Sequence, residues 1–125
     1  MRLVYFLTFV LLTSCSCEKE LPNYSRQEML GWAYEADPNM KIKIGDLTKA
    51  LVDCKDYTPR CQIGYRVVIK TVEFNVLEYA TQDLALEAAK RIKGYVARNW
   101  VFDEVRGEPV LERIVVKYLR GKPAF

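Results

Sequence analysis

The chain of 125 residues contains no histidine. That absence removes the commonest general base, the commonest metal ligand and the side chain whose charge changes near neutral pH. Ser-His-Asp and Cys-His catalytic arrangements go with it. Glycine is sparse, at six residues, and no Gly-rich phosphate-binding loop occurs. No CxxC pair is present, which weakens a thiol redox reading. Neither sign of charge is in marked excess. The net charge is +3, too balanced for a nucleic-acid partner, whose binding domains carry a basic stripe. What remains is a globular composition, half hydrophobic and 28% charged, of a length normal for one domain. No cofactor and no metal site is implied, and the expectation is a protein without catalytic activity.

The apolar residues concentrate at the start. "LVYFLTFVLL", Leu3–Leu12, follows Arg2. A helix of ten residues spans roughly 15 Å, about half a bilayer's hydrocarbon core. It is too short to cross a membrane and has the length of a signal-peptide apolar region. "LTSC", Leu12–Cys15, resembles the lipobox of bacterial lipoproteins, with Thr13 and Ser14 where Ala and Gly are commoner. The resemblance implies cleavage before Cys15 and acylation of that cysteine; two or more acyl chains anchor stably where one is marginal. Cleavage before Cys17 is disfavoured. Ser16 rather than Asp after the lipid site implies, in a didermic organism, the outer membrane with the domain facing the periplasm. The expected plan is a signal peptide at 1–14, a lipidated tether at 15–23, and one domain at 24–125.

Three cysteines remain. "CKDYTPRC", Cys54–Cys61, encloses a Pro-containing turn. In the oxidising compartment implied by the signal, a disulfide is the preferred reading; closing so short a loop contributes roughly 2–3 kcal/mol. Free thiols are the rival, and two thiols without histidine make a poor zinc site. Cys17 is left to sit by the membrane, become modified, or pair between chains.

The domain reads as α+β: a small antiparallel or mixed sheet with three to four helices packed on it. Ser25 and Glu28 form a capping-box pattern ahead of an apolar stripe of Met29, Leu30, Trp32, Ala33 and Ala36, and Pro38 stops that helix. "KIKI" at Lys41–Ile44 is a short strand. A short helix is expected from Asp46, with Leu47, Ala50 and Leu51 inward. Gly64–Ala80 alternates strongly, and without a Gly or Asn-Gly turn it reads as one long bent strand. Thr81 caps a helix carrying Leu84, Ala88, Ile92 and Val96 at i, i+4 spacing, which predicts helix to about Arg98. Gly94 within it suggests close packing. Trp100–Val105 is a strand, and Pro109 opens a last helix with Leu111, Ile114, Val115, Tyr118 and Leu119 inward, stopped by Gly121. The β-α-β portion is similar in topology to ferredoxin-like half-folds and to small envelope modules that bind cell-wall glycan.

The densest mixture of ring and charge is "ARNWVFDEVRGEP", Ala97–Pro109. Arg98, Trp100, Asp103, Glu104, Arg106 and Glu108 make a candidate binding surface, because rings beside arginines and carboxylates recur where glycans, peptides or proteins dock. The preferred alternative puts Trp100 and Phe102 in the core and leaves Arg98, Glu104 and Arg106 as a solvated turn. Asp103 and Glu108 are the one carboxylate pair that could serve acid–base hydrolysis, though acids beside arginines are more often surface ion pairs. The functional expectation is a membrane-anchored envelope lipoprotein acting as a binding or accessory module for an envelope protein or cell-wall polymer such as peptidoglycan. The alternatives are a small envelope hydrolase or inhibitor using the Asp103–Glu108 region, and a purely structural envelope protein.

Overall fold

The computed structural model describes residues 21–43, 45 and 52–125. The signal peptide, the lipobox, Cys15, Cys17, most of the tether, Ile44 and the short helix expected from Asp46 lie outside the described residues.

The elements run α1 (Arg26–Ala36), β1 (Lys41–Lys43), β2 (Ile63–Ile69), β3 (Val72–Glu78), α2 (Gln82–Ile92), β4 (Tyr95–Ala97), β5 (Trp100–Asp103), α3 (Pro109–Lys117) and β6 (Lys122–Pro123). The class is α+β. Among the described residues six antiparallel strands form one sheet in the order β1-β2-β3-β5-β4-β6.

Two crossovers build its centre. The chain leaves β3, forms α2 and returns as β4, with β5 lying between the two strands; it then leaves β5, forms α3 and returns as β6, with β4 between. Both moves step the same way along the sheet but start from antiparallel strands. Crossovers of one hand must therefore put α2 and α3 on opposite faces, and the core divides accordingly. Ala85, Ala88 and Ala89 of α2 pack with Leu77 and Val101 on one face. Leu111, Ile114 and Val115 of α3, with Met29, Ala33 and Ala36 of α1, pack with Phe74, Trp100 and Phe102 on the other. This is why β5 is a continuous apolar run: Trp100, Val101 and Phe102 are each at most 2% exposed, as expected for a strand covered on both sides.

The helix starts follow their sequence signals. Ser25 Oγ accepts a hydrogen bond from the Glu28 N–H at 3.1 Å. Thr81 Oγ1 accepts one from Leu84 N–H at 3.2 Å. Pro109 occupies the first turn of α3, where its missing N–H costs nothing.

Two expectations are corrected. Gly64–Ala80 is not one bent strand but the hairpin β2–β3, with seven residue pairs in register and a two-residue turn at Lys70–Thr71. Both turn residues have positive φ, 47° and 69°, the geometry that usually calls for Asn-Gly. The pairing imposes it, and Asp37 supports it: its Oδ2 accepts the Lys70 N–H at 2.9 Å. That bond, then one from the Asn39 N–H, holds the Asp37 carboxyl below its ordinary range.

The second correction is at α2, which ends at Ile92 and not near Arg98. Lys93 turns left-handed at φ 52°, and the Gly94 N–H donates back to the Ala89 carbonyl at 2.8 Å, a Schellman closure. Tyr95–Ala97 is then a strand, joined to β5 through Arg98–Asn99.

The sheet's two edges are β1, with Lys41 and Lys43, and the two-residue β6, which ends in Pro123.

Candidate functional site

The residues of the 98–108 stretch do not form one surface. Trp100–Asp103 alone span roughly 10 Å of strand, and their neighbours turn away at both ends. Arg98, in the β4–β5 turn, donates to the Pro22 carbonyl at 2.8 Å and lies 4.2 Å from the centre of the Tyr24 ring. Trp100 is 2% exposed and offers no ring to a partner. Its indole N–H donates to the Tyr24 carbonyl at 2.8 Å. Asp103 and Glu104 lie at the far end of β5. Arg106 sits 5.1 Å from the Phe125 ring centre. Glu108 precedes α3 and makes no side-chain cap.

Asp103 and Glu104 instead join a polar cluster on the half of the sheet that α2 leaves uncovered. Register places Lys43, Arg66, Glu73 and Asn75 side by side there. Glu73 accepts from Arg66 Nε at 3.1 Å and also pairs with Lys43; these cations hold its carboxyl below the ordinary range. Arg66 pairs further with Glu104 and donates to Asn75 Oδ1 at 2.9 Å. Asn75 Nδ2 donates to the Tyr57 hydroxyl at 2.9 Å, and that hydroxyl donates to Asp103 Oδ2 at 2.7 Å.

Tyr57 belongs to the loop closed by the Cys54–Cys61 disulfide, whose S–S distance is 2.02 Å. Tyr79 fastens the same loop from β3's end, donating its hydroxyl to the Pro59 carbonyl at 2.8 Å. The cluster is internally satisfied, and its evident task is to dock the disulfide loop on the sheet. Among the described residues no group of three or more Cys, Asp or Glu could hold a metal ion, and no helix is long and apolar enough to cross a membrane.

These tyrosines should set an alkaline limit on stability. Burial, then the Asp103 hydrogen bond, pushes the Tyr57 phenol upward. Burial, then the Asp103 charge, pushes Tyr79 up to about 12. A phenol raised in the folded state contributes its full stability below the unfolded value of about 10 and loses it as pH rises through the folded value. The urea midpoint should therefore hold steady to about pH 9 and fall between about pH 10 and 12. Tyr57→Phe should flatten much of that fall. A midpoint level across the window would show that neither phenol is held.

The remaining feature is apolar. A half-open cavity of about 260 Å³ lies between α1 and the sheet. Met29 and Ala33 roof it, Val67, Phe74 and Trp100 floor it, and Leu30 and Ile42 stand at its edge, 39% and 38% exposed. Its cause is local. The residues that α1 turns most fully inward are Met29, Ala33 and Ala36, and two alanines cannot fill the space over the sheet. Arg26 marks one end, where Glu78 accepts from its Nε at 3.0 Å. An enclosed apolar cavity of about 150 Å³ takes up benzene; the volume and apolar lining here are of the kind a hydrocarbon group would fit. The strand alternation exposes its floor in the sequence. The gap itself depends on the height of α1 above the sheet, which no local pattern encodes.

Compared with family models, curated proteins and solved structures, the chain matches none, so its own residues carry the functional argument.

Proposed function

We propose that this chain is a lipid-anchored binding module of a bacterial cell envelope, held to the membrane through Cys15. The lipobox resemblance supports the anchor. The observation that supports binding is the 260 Å³ apolar cavity under α1. Its walls favour a partner that presents hydrocarbon, such as an apolar side chain of an envelope protein, over a polar cell-wall polymer, because burying sugar hydroxyls there without hydrogen-bond partners is costly. The hydrolase alternative has less support. Asp103 accepts from Tyr57 at one oxygen and from the Glu104 N–H at the other, so its lone pairs are engaged in holding the fold.

Ala33→Leu tests the binding reading, because it fills the cavity from a residue that suits a helix. A fluorescent hydrocarbon probe such as N-phenylnaphthylamine should bind the parent protein. The variant should weaken that affinity by about tenfold or more while keeping its unfolding midpoint. Failure of the parent to bind the probe would reduce the cavity to a packing gap and favour the purely structural reading.

A further inference from the structure

The described chain begins at Leu21, six residues after Cys15. Six residues reach at most roughly 20 Å, so the face bearing Leu21 stays close to whatever Cys15 anchors. That face has an unusual make-up. Leu21 and Leu86, 60% and 40% exposed, share a shallow depression with Arg98, Arg120 and Lys122. Beside it, Tyr24 and Trp32 pack edge to face at 4.8 Å. Arg98 covers the Tyr24 ring and Arg120 the Trp32 ring, each at 4.2 Å. Arg98, Arg120 and Lys122 form no ion pair among the described residues, as is true of most of the basic side chains there, so their charge is open to a partner. Among the described residues the one carboxylate lining the depression is Asp83, in the first turn of α2.

Partly buried Trp and Tyr rings, long cations and isolated leucines are the side chains that settle at a membrane–water boundary. Anionic lipids add an attraction for unpaired Arg and Lys. We infer that this face rests on the anionic headgroups of the anchoring membrane, with Arg98, Arg120 and Lys122 at the phosphates and Leu21 and Leu86 at the acyl boundary. The domain then has one orientation at the membrane instead of swinging on its tether. This rests on the lipid anchor proposed above.

The test uses the mature protein purified from its native membrane. Its intact mass comes first: a chain lacking acyl groups defeats the anchor by itself. The acylated protein is then placed in phosphatidylcholine vesicles with or without phosphatidylglycerol at roughly one lipid in three, and a membrane-impermeant amine reagent is mapped by mass. Lys122 should label about threefold less on the anionic vesicles, and the protection should vanish in about 0.5 M salt. Lys70 should label alike on both, since it adjoins Asp37, at the far end of α1 from the tether. Arg98→Gln with Arg120→Gln should abolish the protection while the protein stays on the vesicles. Equal labelling of Lys122 on both vesicles would overturn the inference and leave the anchor standing. So would equal protection by soluble polyphosphate, which would make the face a polyanion site.

Discussion

Trp100→Ala should cost about 3–5 kcal/mol of folding stability, a large fraction of what a small domain possesses. The ring is 2% exposed in the core shared by α1, α3 and the sheet. It also lies stacked near Tyr65, with ring centres 6.5 Å apart. Its second contribution is the hydrogen bond to the Tyr24 carbonyl, which fixes the chain just ahead of α1. Trp100→Phe separates the two effects: it keeps most of the packing and leaves that carbonyl unpaired, at about 1–2 kcal/mol. Urea unfolding of the three proteins measures both. If Trp100→Ala kept its midpoint and lost only ligand binding, the ring would be a docking platform and its placement in the core would be wrong.

Gly94→Ala should be the second severe change, costing about 1–3 kcal/mol. A Cβ at this position would lie 2.8 Å from the Phe102 carbonyl oxygen and 3.2 Å from two Ile92 side-chain carbons. The isoleucine can move. The carbonyl cannot easily follow, because β5 is bonded to β3 on one side and to β4 on the other. Gly31→Ala is the control: it lies mid-helix in α1 with nothing within 4 Å of its would-be Cβ, and it should gain about 0.5–1 kcal/mol. Thermal or urea unfolding of the pair decides the matter. A Gly94→Ala protein as stable as its parent would show that the strand and the helix end can part at no cost.

Gly94 also explains one limit of reading this sequence. A glycine near a helix end normally marks the left-handed residue itself. Here Lys93 takes that conformation, and the glycine stands one place later, where β5 presses closest. Arg120 and Gly121 repeat the arrangement after α3: Arg120 has φ 62°, and a Cβ on Gly121 would lie 2.4 Å from a Val115 methyl. Val96 compounds the error. It falls four residues after Ile92 and packs, like Ile92, against the α2-side core, so a strand residue continues the helical count. The hairpin turn was hidden for a related reason. Lys70 and Thr71 carry none of the usual turn chemistry, and long-range register overrides their preferences. By contrast the starts of α1 and α3, the short strand β1 and the alternation of β2 and β3 were legible, because caps, proline and alternation act within a few residues. The proposed membrane face was legible only in its parts. Arg98 and Arg120 are 22 positions apart, and Trp32 lies still further off in the chain; only the fold gathers them beside the tether.

The sheet's borders carry a last consequence. An open strand edge invites the same edge of another molecule to zip onto it. Here one border offers three residues, two of them lysines, and the other offers two, one of which has no N–H to give. Copies packed shoulder to shoulder at high local density would meet like charges on one side and a broken ladder on the other. Edge-to-edge pairing through β1 or β6 therefore gives the described domain little route to fibrils.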